Sequence, residues 1–394
     1  MTHRRTRVFM MDLWATVPYY TAYLSKALLA EGVDVTVGSI SYYLDFDCFS
    51  SRGIKVDPGI MDVVGKFPLP RLPRRSLKLL EALVNLFALT ARFMVSPPDV
   101  IHVQYLPMLK WHLPLDFWFL KFCRKRGSKI VLTVHDLLPH DTGDTLKNTF
   151  IELYSMVDRI ICHSDCVRAR LEAEFYVPDD KVSVIQHGPF FYDLFEAGYE
   201  QTLRNFEIEP GAALVLWQGI IFPYKGIDLL LRAWQKVEAN GGNEYLVIAG
   251  TGAPELVKQI HKQVKQLELR RVKLHSRFIS ARELVALYRA ADIVVYPYRA
   301  ITTSGAMATG LALNKAIVAS DLPVFRELLT NRENALLIDP ENSVELAGAL
   351  TELARDEVLR ERLASNVRAM NFGDQSWFSI AQLTRQVYNR SLLP

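Results

Sequence analysis

Short, nearly unbroken apolar runs recur along the chain, separated by stretches in which apolar residues return every three or four positions. Val8–Met11, Val33–Ile40, Val100–Gln104, Lys129–Val134, Arg159–His163 and Val182–Gln186 fill the first half. Ala213–Gln218, Tyr245–Ala249, Val272–His275, Ile293–Tyr296, Ala316–Ala319 and Ala335–Ile338 fill the second. A strand that is apolar at successive positions must be covered on both faces, as in a parallel sheet. Between the runs, Ile227, Leu230, Leu231 and Trp234 line one face of a helix. Strand–helix alternation twice over predicts an α/β chain of two doubly wound domains. The boundary is expected near residues 190–210, where Gly188-Pro189 ends the first set of strands and Glu207–Gly211 leads into the second.

Composition narrows the classes. Half of the 394 residues are apolar and 23% are charged, which excludes a disordered chain. Four cysteines cannot make a disulfide framework, and a reduced, cytoplasmic interior is expected. Cys162, His163 and Cys166 lack a second ligand pair, so no metal is expected. No uncharged run reaches the ~20 apolar residues of a membrane span, and Arg4, Arg5 and Arg7 before Val8–Met11 read as the approach to a strand, since Asp12 interrupts the apolar stretch. The net charge of +3 does not imply nucleic acid. Charge is uneven, however. Residues 66–129 hold twelve Lys/Arg against three acids, a local +9. There the segment Ser76–Phe93 has a broad apolar face, with Lys78, Glu81, Asn85 and Arg92 grouped on the other side. With Trp111, Phe117, Trp118 and Phe122 it reads either as a surface that meets anionic lipid or as a core helix with solvated basic neighbours.

Ligands of doubly wound sheets bind beyond the carboxyl ends of the strands, so residues just after strands carry the candidate chemistry. Gly219 to Lys225-Gly226 follows a strand and opens a helix. That set suits a phosphate, although a Lys-Gly at a helix start is also an ordinary turn. Gly250-Thr251-Gly252 is a tight strand–helix turn lacking the third glycine of a dinucleotide fingerprint. In Tyr298 to Gly305, Arg299 and the hydroxyls of Thr302, Thr303 and Ser304 can cradle a diphosphate or simply cap a helix. His135-Asp136 ends a strand in the first half, where the histidine can meet a substrate hydroxyl or make a structural contact with the aspartate. His140-Asp141 repeats the dipeptide, and Asp45-Phe46-Asp47 is a bare D-x-D.

In this order the motifs resemble the GT-B glycosyltransferases of the large retaining class, family four, which includes sucrose synthases and bacterial mannosyl- and glucosyltransferases. The residues that carry the resemblance are Ile130 to His135-Asp136, Ile160 to Ser164, Val184 to His187-Gly188, Gly219 to Gly226, Gly250 to Gly252, Ala290 to Pro297, Ile317 to Ser320, Phe325 to Glu327 and Ser376-Trp377. They span essentially the whole chain. The resemblance implies two Rossmann-like domains facing across a cleft: residues 1–195 for the acceptor, 205–372 for the donor, and a helix in 373–394 crossing back to the first. It implies transfer of a sugar from a UDP- or GDP-type donor to a saccharide or lipid-linked acceptor, with retention and without metal or other cofactor. Lys225 would meet the diphosphate, Phe278 and Ile279 would flank the base, and His135 would touch the sugar. Gly219, Gly250, Gly252, Thr302, Thr303, Ser304, Gly305 and Thr309 complete the implied donor site; Ala15, Thr16, His135 and Asp136 the acceptor site. Four positions depart from the family pattern. Ile301 and Thr309 stand where two glutamates are usual, Ile220 where an arginine follows the loop glycine, and Ala15-Thr16 where Gly-Gly is usual. The loop from Pro297-Tyr298-Arg299 to Ser304-Gly305 resembles a polysaccharide-assembly branch, with Arg299 as the replacement cation. The missing glutamates also admit a homologue that has lost catalysis and serves as a binding or complex subunit.

Overall fold

The computed structural model describes residues 4–66, 71–109, 113–139, 143–194 and 198–393. Lys110, Trp111, His140 and Asp141 lie outside the described residues. The chain divides into two units, residues 1–186 with 377–394, and residues 187–376. The division falls earlier than the sequence suggests because His187–Leu194 packs with the second unit: the Phe190 N–H donates to Thr309 Oγ1 at 3.1 Å.

In the first unit the strands are β1 (Arg7–Met11), β2 (Asp34–Gly38), β3 (Val100–Val103), β4 (Lys129–Val134), β5 (Arg159–Cys162) and β6 (Val182–Val184). They form one parallel sheet in the order β2-β1-β3-β4-β5-β6. In the second they are β7 (Leu214–Gln218), β8 (Tyr245–Ala249), β9 (Val272–His275), β10 (Ile293–Tyr296), β11 (Ala316–Ser320) and β12 (Leu336–Ile338), again parallel, in the order β12-β11-β10-β7-β8-β9. Every residue of β3, β8, β10 and β11 is buried, which is why those runs are apolar without alternation apart from His102 in β3 and Ser320 at the end of β11.

One device recurs at the feet of both sheets. An aspartate just before a strand accepts an N–H from the neighbouring strand: Asp99 from Arg7 at 2.8 Å, Asp158 from Ile130 at 2.8 Å and Asp292 from Leu214 at 2.7 Å. Strand order reverses between β1 and β3 in one sheet and between β7 and β10 in the other, opening a crevice at their carboxyl ends.

The helix Asp374–Leu392 gives its buried face to the first unit. Trp377 stacks on Tyr23 with centroids 5.5 Å apart. The Tyr388 hydroxyl lies 2.6 Å from His102 Nδ1, and Arg385 donates to Glu31 O at 3.2 Å.

The long helix Arg71–Val95 reverses one expectation. Glu81 and Asn85, grouped in the sequence with Lys78 and Arg92 opposite the apolar face, are almost wholly buried. Glu81 Oε1 accepts the N–H groups of Val63 and Val64, and Asn85 Oδ1 those of Ile60 and Met61. These two side chains face inward because the extended segment beneath them has N–H groups with no ladder to join.

Candidate active site

In the second unit the site residues gather at the β7/β10 switch point. The Gly219 N–H donates to Ala249 O at 3.1 Å and the Ile221 N–H to Thr251 O at 2.8 Å, so the chain beyond β7 continues alongside the chain beyond β8. Gly250 has φ +152° and sits so close that a Cβ there would lie 1.9 Å from Gly219 O; no larger residue fits. The chain then makes a single turn, Pro223–Lys225, before the helix Ile227–Ala239. That turn carries the Lys225 Nζ back over Gly219, where it would be 2.7 Å from an added Cβ. The amine also lies 5.7 Å from the centroid of the buried Tyr298 ring. A half-buried ammonium, a bare glycine and a helix start thus lie together beyond β7. This is a geometry suited to an anion.

The loop beyond β10 is bound to this turn. The Arg299 N–H donates to Tyr224 O at 2.7 Å. Its guanidinium, expected to serve as a phosphate cation, is instead fully engaged. It makes a two-pronged pair with Asp228 at 2.8 and 2.9 Å, donates to Pro223 O at 2.8 Å and pairs with Glu341. A guanidinium has five N–H donors, and these acceptors account for all of them. Two carboxylates face one cation, and the hydrogen bonds to Asp228 and then Glu341 hold the Arg299 pKa above its ordinary value. Arg299 therefore ties the Lys225 turn to the β10 loop as a positioning residue.

Thr309 is corrected for a similar reason. It is buried, and its hydroxyl donates to Gly305 O at 2.8 Å while accepting from Phe190. Its proton and one of its two lone pairs are used internally, and the side chain is buried, so Thr309 has no proton to offer a ribose. Ser304 Oγ accepts the Met307 N–H at 3.1 Å and caps the helix Gly305–Ala312. Thr302 and Thr303 stay half-buried beside it. A Cβ on Gly305 would meet Phe190 at 2.7 Å and His187 at 3.0 Å, so the glycine leaves room for those rings. Phe278 and Ile279 follow β9, with Ile279 buried and Phe278 half-buried, just before the Ser280–Glu283 capping box.

In the first unit, β4 delivers His135 to a polar cluster beside the β1/β3 switch. His135 Nε2 is 3.1 Å from Gln104 Oε1, and its Nδ1 is 3.3 Å from His163 Nε2. Tyr20 lies edge-on to both rings, 4.7 Å from His135 and 5.3 Å from His163. His163 Nδ1 lies 2.9 Å from Ile185 O. A carbonyl only accepts, so that nitrogen carries hydrogen. Burial pushes His163 down to about 4, so it is neutral at pH 7 and its Nε2 is an acceptor. A proton on His135 Nδ1 suits that acceptor, and with Nε2 facing Gln104 Oε1 both ring nitrogens of His135 have partners inside the unit. Asp12, at the end of β1, accepts from the N–H groups of Thr16 at 2.7 Å and Val17 at 3.0 Å; burial raises its pKa to about 6 against those bonds. Ala15 occupies the left-handed region at φ +49°, which explains why glycine is usual there. Asp136 is half-buried beside His135.

The structure thus brings Gly219, Lys225, Gly250 and Gly252 together beyond β7 and β8, and sets Thr302–Gly305 beyond β10. It removes Arg299 and Thr309 to supporting roles. The sequence alone gives Asp228 and Gln104 no role, and it offers His163 only as a strand end and, with Cys162 and Cys166, as an incomplete metal group. Asp45 accepts the Tyr19 hydroxyl and Asp47 that of Ser50, so the D-x-D serves its own loop. Among the described residues no group of three or more His, Cys, Asp or Glu is placed to hold a metal.

The model of glycosyl transferases group 1 matches residues 200–370, and that of glycosyltransferase family 4 matches residues 17–188. A D-inositol 3-phosphate glycosyltransferase of Thermomonospora curvata is 29% identical over 380 residues, covering 88% of this chain and 84% of its own. An uncharacterised glycosyltransferase of Methanocaldococcus jannaschii is 28% identical over 239 residues, a match spanning 58% of this chain and 59% of that protein. Among solved structures, Anabaena HepE in complex with UDP-glucose superimposes with a TM-score of 0.75 at 17% identity, over 98% of this chain and 99% of its own. That likeness shows the fold, a two-domain Rossmann-like GT-B architecture.

Proposed function

The chain belongs to the group 1 glycosyltransferases, and from that premise we propose that it moves a sugar from a nucleotide-diphosphate donor to a saccharide or lipid-linked acceptor, with retention and without a metal. The observation that carries this reading is the Lys225 amine held over Gly219 at the β7/β10 switch point. In the transfer, the bond from the sugar's anomeric carbon to the diphosphate oxygen breaks and one to the acceptor oxygen forms. The acceptor's hydroxyl proton ends on the departing phosphate. Negative charge grows on the leaving diphosphate, and preorganised donors aimed at it supply the main catalytic term. Lys225 and the N–H groups at the Gly305 helix start are those donors here. Phe278 and Ile279 take the base, and His135 exchanges the Gln104 contact of its Nε2 for a sugar hydroxyl while Nδ1 stays on His163.

Calorimetry with UDP, GDP and their nucleosides tests the site. Lys225→Ala is expected to weaken diphosphate binding at least tenfold, since a charged hydrogen bond contributes ~1.5–3 kcal/mol, and to leave nucleoside binding unchanged. Arg299→Ala is expected to give a smaller loss, through a loosened Lys225 turn. Transfer from labelled donors is expected to survive EDTA.

The internal use of the Thr309 hydroxyl, with Ile301 in the other glutamate position, favours a second reading, a binding subunit without catalysis. Nucleotide binding with no donor turnover would decide for it.

A further inference from the structure

The long helix Arg71–Val95 buries Glu81 and Asn85 and leaves apolar side chains outside. Leu77, Leu80, Leu83, Phe87, Met94 and Val95 are exposed; Phe87 is 77% and Val95 86% exposed. At 100° per residue, these six fall within one continuous stripe along the helix. Its opposite side, Ala82, Leu86, Leu89 and Phe93, packs into the core of the first unit. The helix is therefore apolar on two faces, and only one of them is covered by its own unit. The helix Leu115–Lys125 packs against it and adds Trp118, 62% exposed. Exposed apolar residues scattered singly need no explanation, but a contiguous stripe does.

Charge identifies the occupant. Arg126 donates to Met94 O at 2.6 Å and so borders the end of the stripe. Lys121 and Lys125 follow Trp118 at helical spacing and are exposed beside it. The surrounding segment, residues 66–129, carries +9 in sequence, of which Lys66, Arg92 and Lys121 pair with Asp62, Asp57 and Glu152 outside it, leaving an excess of positive charge. A second copy docked by the same face would set the Lys125 and Arg126 border against its own like charge in a two-fold contact, which opposes self-association. An anionic lipid surface attracts the same charge and receives the apolar stripe at its acyl boundary.

We propose that the Leu77–Val95 stripe, with Trp118, is the face by which this protein docks on an anionic membrane, the helix lying flat in the interface. Docking needs neither donor nor turnover, so it stands or falls separately from the sugar-transfer reading.

The test is co-sedimentation of the full chain with equimolar phosphatidylcholine–phosphatidylglycerol vesicles and with phosphatidylcholine alone. Binding is expected to the anionic vesicles only, to weaken as salt rises, and to fall at least tenfold in the double variant Leu80→Ser, Phe87→Ser. Both side chains are exposed, so the variant is expected to melt with the parent, and that melt confirms folding. A Trp118→Phe variant is expected to lose part of the blue shift in tryptophan emission on vesicle binding. No binding at low salt, equal binding by the double variant, or a dimer in gel filtration that this variant dissociates would each overturn the proposal. The dimer outcome would assign the stripe to a second copy.

Discussion

The helices Arg71–Val95 and Ile227–Ala239 present the same pattern to a reader of the sequence, apolar residues at helical spacing with charges on the other side. In the second, Ile227, Leu229, Leu230, Leu231, Ala233, Trp234 and Val237 are all buried. In the first, the polar residues Glu81 and Asn85 are buried and Leu80 and Phe87 are not. Periodicity identifies faces; it does not say which face turns inward. What turns Glu81 inward is the segment at residues 60–64, whose N–H groups require acceptors and whose own sequence carries no sign of that need.

The largest effect is expected at Trp234 in the helix Ile227–Ala239, which is wholly buried. Trp234→Ala is expected to cost about 3–5 kcal/mol by leaving a cavity, read as a lowered midpoint in urea. Next comes Glu81→Leu. An apolar residue at a position of an apolar-faced helix would ordinarily help; here it orphans the Val63 and Val64 N–H groups, for an expected loss of about 1–3 kcal/mol. A stabilised variant would mean that the inward polar face is dispensable.

A third test uses pH. Burial pushes His102 down to about 3, from an ordinary value near 6.5. Between those values the unfolded chain holds a proton that the folded chain refuses, so His102's contribution is intact above pH 6.5 and is lost as pH falls, by at most about 1.4 kcal/mol per pH unit. Asp12 and Asp116 work the other way, since burial raises them to about 6 and about 7 and the folded state then gains as pH falls through those values. The comparison of parent with His102→Gln separates them: the parent's advantage is expected to shrink steadily below pH 6.5. The smallest effect sharpens the contrast. Phe87→Ser is expected to change stability by no more than about 0.5 kcal/mol, because that ring is already in solvent.

All twelve strands were legible in the sequence, most of them because a strand covered on both faces leaves a nearly unbroken apolar run; β4, β8, β9 and β10 coincide with the runs, β1 and β11 are longer by one residue, and the other six are shorter by one to three. The site was legible in part. Lys225 and the strand-end glycines declare themselves by position, since a βα turn puts them where it must. Arg299 misleads because its partners Asp228 and Glu341 lie 71 and 42 residues away in sequence and meet it only when β7, β10 and β12 align. Thr309 misleads in the same way, its hydroxyl taken by Phe190 from 119 residues upstream. His163 looks like the end of a strand, and its hold on His135 exists only because β4 and β5 are neighbours.

The contact between His102 and Tyr388 joins positions 286 residues apart. A ribosome finishes the six strands of the first sheet long before it makes residue 377, so the nascent sheet waits with Tyr20, Tyr23 and His102 unroofed while the entire second unit is synthesised. Domains emerging from the ribosome generally fold in order, amino-terminal first; this chain inverts that order for its final step. The second unit is contiguous and can complete itself at once, whereas the first is closed by a segment made only after the second. Synthesis of residues 377–392 thus becomes the event that matures the first unit.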